Sequence, residues 1–164
     1  MRIESRKPNR FLTCLYAVFC ILCLSIGVQT AEASDSMITG RLEIPAISLD
    51  SAVTTLTLEN NRLSTPERIV GAFSNHTNKT LLIAHSVTAF EHLDQLKIGD
   101  KLTYNDVSYV VTSLETKAKT DISMSEILES APRETLVLMT CAGKLLPDGD
   151  ATHRLLVTAR ISRS

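Results

Sequence analysis

Residues 137–141 read VLMTC, residues 142–152 read AGKLLPDGDAT and residues 153–157 read HRLLV. The first and last runs are rich in β-branched and other apolar residues, and the middle run contains the Pro, Gly and Asp residues that favour turns. The stretch therefore predicts two strands joined by a polar loop, with Cys141 ending the first strand and Arg154 beginning the second. Taken alone, Cys141 fits a small buried residue and Arg154 fits a charge at a strand edge.

The composition is that of a globular protein. The chain has 164 residues, of which 44% are hydrophobic and 21% are charged, and this length fits one domain with an additional targeting segment. The net charge of −1 gives no electrostatic reason to expect a nucleic-acid partner. We therefore expect the protein not to bind nucleic acid.

The cysteines divide the chain in two. Three of the four, Cys14, Cys20 and Cys23, lie in an apolar run near the N terminus, and Cys141 is the only one after them. A disulfide framework in the folded domain is excluded, because it needs an even set of cysteines. No zinc spacing and no convincing acidic cluster occurs, so we expect no cofactor and no metal. A single thiol in such a domain is a candidate nucleophile.

The N-terminal segment has the pattern of a membrane anchor. Residues 1–10 carry four basic residues and one acid, and residues 11–28 carry no charge. As a helix, about 18 residues reach about 27 Å, close to the hydrocarbon thickness of a bilayer. We predict that residues 1–33 form a cytoplasmic basic flank, a single-pass transmembrane signal-anchor and a tether. Residues 34–164 would then form a domain on the extracellular face of the cell membrane. A cleaved signal peptide is the alternative, because Ala31-Glu32-Ala33 resembles a cleavage site.

The rest of the chain predicts about seven or eight short strands. Apolar residues nearly alternate over residues 41–49 with a phase slip at Pro45, which predicts an edge strand broken by the proline. Residues 59–80 are polar and predict a loop, with a short apolar island at residues 70–73. Residues 101–114 predict a β-hairpin that turns at Asn105-Asp106. This pattern predicts a compact β-barrel or β-sandwich.

The remaining predicted elements are short. Residues 80–85 predict a buried strand that ends at His85. Residues 90–96 carry apolar side chains at a spacing of three, which places them on one side of a helical or 3₁₀ segment. One helical turn is predicted around residues 124–128, and the LPDG sequence at 146–149 predicts a β-turn.

Three chemically useful side chains are thus expected at strand ends. His85 ends one strand, Cys141 ends another and Arg154 begins a third, and a barrel can bring such ends together at one rim. A thiolate attacks a carbonyl carbon to form a thioester, an imidazole transfers protons, and a guanidinium holds the developing oxyanion. The rival imidazole is His153, directly before Arg154, whereas the other two histidines are expected to be exposed.

With their flanks, these residues resemble the sortases, the cysteine transpeptidases that anchor proteins to the cell walls of Gram-positive-type bacteria. The resemblance covers roughly residues 40–162. It rests on pieces in the family's order, which are LEIPAI at 42–47, LIAH at 82–85, YVV at 109–111, VLMTC at 137–141 and RLLV at 154–157. Ala84 stands where a glycine usually precedes the histidine, and Val137 stands where the signature usually has a threonine.

The resemblance implies a mainly β fold, a closed eight-stranded barrel with short helices. It implies a cysteine transpeptidase that cleaves an LPxTG-type sorting motif between Thr and Gly through a thioester on Cys141. His85 would be the general acid and base, and Arg154 would stabilise the oxyanion and substrate. Thr140 and Ala142 are the expected substrate-binding residues, and Thr140 also fits a packing role. The partners would be proteins with the sorting motif, and the acceptor would be an amine of a peptidoglycan precursor or a pilin.

Two other functions stay open from the sequence. A membrane-tethered barrel that binds a peptide or a glycan without turning it over would keep Cys141 buried and inert. A nucleophilic Cys141 would instead react with alkylating reagents in the folded state. A sortase-like hydrolase would form the same thioester and pass the acyl group to water.

Overall fold

The computed structural model describes residues 37–60, 62–75, 77–147 and 149–162. Its strands are β1 (Ile38–Ile44), β2 (Leu49–Thr55), β3 (Val70–Ser74), β4 (Lys79–Ile83), β5 (Lys101–Tyr104), β6 (Val107–Ala118), β7 (Thr135–Leu145) and β8 (Ala151–Ile161). The short elements are 3₁₀ turns at Pro45–Ile47, Leu93–Gln95 and Lys119–Asp121, and helix α1 (Met124–Ile127). In the described part of the chain, the eight strands close into a barrel in the order β1-β2-β3-β4-β7-β8-β6-β5. The predicted eight-stranded barrel with short helices is confirmed.

The predicted N-terminal anchor, residues 1–33, lies outside the described residues. Among the residues that are described, no helix has both the length and the apolar character needed to cross a membrane. The barrel strands belong to one compact unit, Ser36–Ser164.

Two of the strand pairings are parallel, and one of them sets up the site. β2 pairs in parallel with β3, and β4 pairs in parallel with β7, whereas the other neighbours are antiparallel. A parallel pair needs a long crossover, and here β5 and β6 lie in the chain between β4 and β7. Because β4 and β7 run in the same direction, the chain leaving β4 continues alongside β7.

The prediction of an edge strand at Pro45 is wrong in one respect. β1 ends at Ile44, and Pro45 opens a 3₁₀ turn where its missing N–H is not needed by the sheet. β1 nevertheless has neighbours on both sides, since it pairs with β2 and, at Leu42 and Glu43, with β5. That short closing contact joins segments far apart in sequence, so an alternation pattern does not reveal it.

A second difference concerns β3, which lies within the segment predicted as a loop. Val70, Gly71, Ala72 and Phe73 are buried between β2 and β4. A run of only four buried residues is too short to show a clear period in the sequence.

The β5–β6 hairpin and the 3₁₀ segment of residues 90–96 follow the predictions. Asn105 and Asp106 have φ angles of 49° and 64°, the left-handed backbone that a two-residue type I′ turn requires. Phe90, Leu93 and Leu96 are all buried in the barrel core. The segment after β4 is therefore anchored by its apolar residues rather than by hydrogen bonds of a long helix.

Alternation along the strands separates two apolar layers. Residues such as Leu138 and Val157 point into the barrel, where most of the core lies. Their neighbours point outward and form a second cluster, which consists of Leu81, Ile83, Val137 and Leu156. The outer cluster is covered by side chains of the β2–β3 connection and of the C-terminal end of α1 with the residue after it, which are Leu56, Leu63, Ile127 and Leu128. The outer face of β4, β7 and β8 is thus the floor of a covered region.

Candidate active site

Cys141 and Arg154 lie directly opposite each other on the antiparallel strands β7 and β8. Opposite residues on such strands point to the same face, with Cβ atoms about 4.5–5.5 Å apart. Both strands are longer than predicted, because β7 continues to Leu145 and β8 begins at Ala151. The predicted strand ends are therefore wrong, and register within the sheet brings the thiol and the guanidinium together.

His85 follows β4 on the other side of Cys141. β4 and β7 pair in parallel, with Ile83 opposite Met139. If that register is extended by two residues, His85 comes beside Cys141 on the same outer face. The carbonyl of His85 accepts hydrogen bonds from the amides of Thr88 and Phe90, both at 3.2 Å, which fix the chain as it leaves the strand. The thiol is therefore placed between an imidazole and a guanidinium carried by neighbouring strands.

A groove of about 740 Å³ runs over this part of the outer face. His85, Cys141, Arg154 and Thr140 all line it, so four of the five predicted site residues share one groove. Its apolar lining is made by Leu58, Leu63, Ile83, Met124, Leu128 and Met139. The groove therefore has an apolar portion and a portion that carries the chemically reactive groups.

Arg154 is held by its surroundings rather than extended into solvent. Its Nη1 donates to the carbonyls of Ala151 and His153, both at 3.0 Å, and its Nη2 donates to Oδ1 of Asp150 at 2.6 Å. The side chain is only 15% exposed. These three bonds use at most three of the five guanidinium N–H groups, so donors remain for a ligand.

Asp150 is a functional candidate that the sequence reasoning missed. Its carboxylate accepts hydrogen bonds from Lys119 and Arg154 and from the amide of Ala151, and it lines the groove. The bonds from Lys119 and Arg154 hold the pKa of Asp150 well below its usual range, so it is ionised at neutral pH. The available signal was an acid four residues before Arg154 at the end of a turn-rich loop.

Thr140 and Ala142 flank the thiol and behave differently. Thr140 is buried, and its Oγ1 donates a 2.8 Å hydrogen bond to the carbonyl of Ala84. Ala142 packs against the apolar cluster inside the barrel. A contact between Ala142 and a ligand in the groove would therefore use its main chain rather than its methyl group.

The rival imidazole, His153, is on the other face of β8. It is adjacent to Arg154 in sequence, and adjacent strand residues point to opposite faces. Its Nδ1 lies 2.8 Å from Oγ1 of Thr152. Among the described residues that line the groove, His85 is the only histidine. His92 is exposed, as predicted, whereas His76 lies outside the described residues.

The apolar part of the groove was also missed from the sequence. Leu63 belongs to a segment predicted as a polar loop, and Leu58 directly precedes that segment. Met124 and Leu128 belong to a single predicted helical turn. The signal was weak, because isolated leucines in a polar stretch rarely mark a binding surface. Within the described parts of the chain, no group of His, Cys, Asp and Glu has the arrangement to hold a metal ion.

Comparisons with known proteins agree with this architecture. A family model described as Sortase domain matches residues 42–162. The structure is similar to sortase A from Corynebacterium diphtheriae, with a TM-score of 0.63 at 19% identity over 80% of this chain and 64% of that chain. It is also similar to sortase C-1 from Actinomyces oris, with a TM-score of 0.61 at 22% identity over 99% of this chain and 85% of that chain.

A third similar structure is sortase C from Clostridium perfringens SM101, with a TM-score of 0.57 at 24% identity over 77% of this chain and 71% of that chain. At these identities the structural likeness shows the fold. The chain spans 64% of the length of the Corynebacterium diphtheriae sortase A chain. Comparison with curated proteins found no match.

Proposed function

Because the chain belongs to the sortase family, we propose that it is a cysteine transpeptidase with Cys141 as its nucleophile. His85 is its general acid and base, and Arg154 stabilises the oxyanion. The observation that carries this proposal is the position of the Cys141 thiol in one groove, between His85 on the β4 side and Arg154 on β8. This arrangement supplies a nucleophile, a proton carrier and a fixed cation.

The first half of the reaction forms a thioester. The Cys141 thiolate attacks the scissile carbonyl carbon, and the electron pair of the C=O bond moves to the oxygen. Free N–H groups of Arg154 donate to that oxygen, and their positive charge stabilises it. When the C–N bond breaks, His85 gives a proton to the departing amine nitrogen. The acyl group is then joined to Sγ of Cys141.

The second half transfers the acyl group. An acceptor amine attacks the thioester carbon while His85 takes a proton from its nitrogen, and Cys141 leaves as a thiolate. An amide bond replaces the thioester, and the proton balance of His85 is restored. Water entering in place of the amine would give hydrolysis, so the alternative of a sortase-like hydrolase differs only in the acceptor.

The proposed substrates are proteins with an LPxTG-type sorting motif. The apolar lining of the groove, which includes Leu63 and Leu128, suits the apolar residues of such a motif. Thr140 holds the segments of Cys141 and His85 together through its hydrogen bond to the carbonyl of Ala84. Ala142 would bind the substrate through its main-chain groups. The acceptor is an amine on a peptidoglycan precursor or a pilin.

The proposal includes the predicted location. Residues 1–33 would anchor the protein in the cell membrane, and the barrel would act on the extracellular face. Substrates and acceptors of this kind are found there, which is why the anchor prediction and the proposed reaction support each other.

The test uses the full-length chain in mild detergent with a panel of LPxTG-like peptides, with and without an added amine such as triglycine. The Cys141→Ala variant is the control, and peptide masses are read over time. We expect the wild type, but not Cys141→Ala, to cleave the peptide between Thr and Gly. When the amine is present, we expect a product in which the cleaved peptide is joined to the amine. Cleavage without joining would support the hydrolase. Cleavage by Cys141→Ala would rule out this nucleophile.

A further inference from the structure

The groove contains a charged group that the proposed reaction does not use. Asp150 directly precedes β8, and its carboxylate is shared between Lys119, in the 3₁₀ turn after β6, and Arg154 on β8. The ion pairs Lys119–Asp150 and Asp150–Arg154 thus connect the end of β6 to the guanidinium beside Cys141. The arrangement is separate from the thiol and the imidazole.

The pair formed by Asp150 and Arg154 differs from ordinary surface ion pairs. The two side chains are 27% and 15% exposed. By comparison, Arg41 and Asp50 are 63% and 58% exposed in their pair. An exposed pair contributes little, whereas removal of one partner from a shielded pair leaves an uncompensated charge. The contact is therefore one that strongly constrains where the guanidinium lies.

The bonds to Arg154 fix a planar group at two points. Nη1 is held by the main-chain carbonyls of Ala151 and His153, and Nη2 is held by the Asp150 carboxylate. The guanidinium is therefore restrained at two of its three nitrogens, and the bond at Nη2 is the only one of the three that comes from a charged partner. Asp150 itself is anchored by the amide of Ala151 and by Lys119.

We propose that Asp150 is a positioning residue for the acyl-transfer reaction, whose carboxylate fixes the Arg154 guanidinium so that its remaining N–H groups are directed to the substrate carbonyl oxygen. This inference rests on the proposed function. Asp150 acts through Arg154 and does not itself exchange protons with the substrate. Lys119 acts one step further away, by holding the carboxylate that holds the guanidinium.

This role predicts which rate depends on Asp150. The oxyanion forms only during acylation and deacylation, so a misplaced guanidinium slows these steps more than it weakens peptide binding. Loss of one hydrogen bond between charged groups corresponds to a rate loss of about ten- to one-hundred-fold. Alkylation of Cys141 by iodoacetamide forms no oxyanion, so it does not need a positioned Arg154.

The experiment compares full-length wild type with Asp150→Asn, Asp150→Glu and Lys119→Met. Asp121→Asn is the matched control, since Asp121 is an exposed acid in the same 3₁₀ turn as Lys119. The readouts are the single-turnover rate of thioester formation, KM for the peptide, the rate of alkylation by iodoacetamide, and Tm. For Asp150→Asn we expect acylation about ten- to one-hundred-fold slower, with KM changed less than about threefold.

Alkylation of Asp150→Asn should match that of the wild type, because alkylation forms no oxyanion. Asp150→Glu should recover most of the acylation rate, Lys119→Met should lose less than Asp150→Asn, and Asp121→Asn should match the wild type. A rate of thioester formation in Asp150→Asn equal to that of the wild type would overturn the proposal. The proposal would also be overturned if Asp150→Asn lowered Tm and slowed acylation and alkylation to the same extent, because Asp150 would then have a structural role. Failure of wild type to acylate at all contradicts the proposed function instead.

Discussion

The hydroxyl of Thr140 donates a 2.8 Å hydrogen bond to the carbonyl of Ala84, which joins the residue before Cys141 to the residue before His85. Both residues are buried, with Thr140 5% and Ala84 3% exposed. β4 and β7 end their ladder one residue earlier, at Ile83 and Met139. This side-chain bond therefore continues the contact between the two strands beyond the ladder and holds the imidazole and thiol segments together.

Thr140→Val removes this bond while keeping the shape of the side chain. A buried carbonyl that loses its donor destabilises a protein by about 1–3 kcal/mol, so we expect a lower free energy of unfolding in urea by that amount. Acylation should also slow, because the His85 segment is less firmly held. Thr140→Ser keeps the hydroxyl and should recover activity. Equal activity of the valine and serine variants would contradict a positioning role for the bond.

Arg154→Ala should lower the rate of acylation about one-hundred- to one-thousand-fold, the loss typical of removing an oxyanion donor. Arg154→Lys keeps the charge and loses the planar set of donors, so we expect it to recover only part of the rate. Single-turnover thioester formation measures both. Full activity of the lysine variant would mean that charge alone is required at this position.

His85→Ala should abolish measurable transpeptidation, because no other histidine among the described groove residues can replace it. His153→Ala is the matched control, and it should keep most of the activity because its ring is hydrogen-bonded to Thr152 and does not line the groove. Peptide cleavage under identical conditions compares the two. If His153→Ala lost activity and His85→Ala kept it, His153 rather than His85 would be the catalytic histidine.

Leu58→Lys should weaken peptide binding by placing a charge on the apolar wall of the groove. Leu58 is 48% exposed, so the substitution is expected to leave the fold intact. We expect a KM at least about tenfold higher, because the bound peptide would bury the unpaired charge of the lysine. The rate of alkylation by iodoacetamide should change little. Ile98→Lys, at a residue that is 70% exposed and outside the groove, is the control. A similar KM for both variants would mean that the peptide does not contact this wall.

Asp150 should also make the stability of the protein depend on pH in the acid range. Lys119 and Arg154 lower its pKa from the ordinary value of 3.8. A carboxylate whose pKa is lowered on folding contributes its full stability above the unfolded pKa, and loses it as the pH falls through the folded pKa. The Tm difference between wild type and Asp150→Asn should therefore be steady from about pH 7 to pH 5 and shrink below about pH 4. A difference that stays constant down to pH 2 would show that the ion pair is not its source.

Much of the barrel follows from local patterns in the sequence. The β5–β6 hairpin was predictable because Asn105 and Asp106 accept left-handed backbone, and the 3₁₀ segment was predictable from the spacing of Phe90 and Leu93. These features depend only on neighbouring residues. β3 was not predictable in this way, because Val70–Ser74 is defined by the strands on either side of it.

The site was predictable as a set of residues and not as a geometry. The resemblance pointed to His85, Cys141 and Arg154, whereas the pairing of Cys141 with Arg154 is set by the register of β7 and β8, which runs unbroken from Thr135 to Ala142 and shifts only between Ala142 and Leu145. Strand register is a contact between distant segments, and a β-bulge adds a residue to one strand at a position that the alternation of apolar residues does not reveal. Asp150 was missed for a related reason, because its partner Lys119 is 31 residues away in sequence.

The most direct test of the central claim is the intact mass of the full-length protein after incubation with LPxTG-like peptides in the absence of an amine. We expect a mass increase equal to the acyl fragment on wild type, none on Cys141→Ala, and release of the adduct when hydroxylamine is added. Absence of an adduct with every peptide, together with a Cys141 that resists iodoacetamide in the folded protein, would contradict acyl transfer and favour a barrel that binds its ligand without chemistry. Absence of an adduct with a thiol that reacts readily would contradict the proposed sorting motif instead.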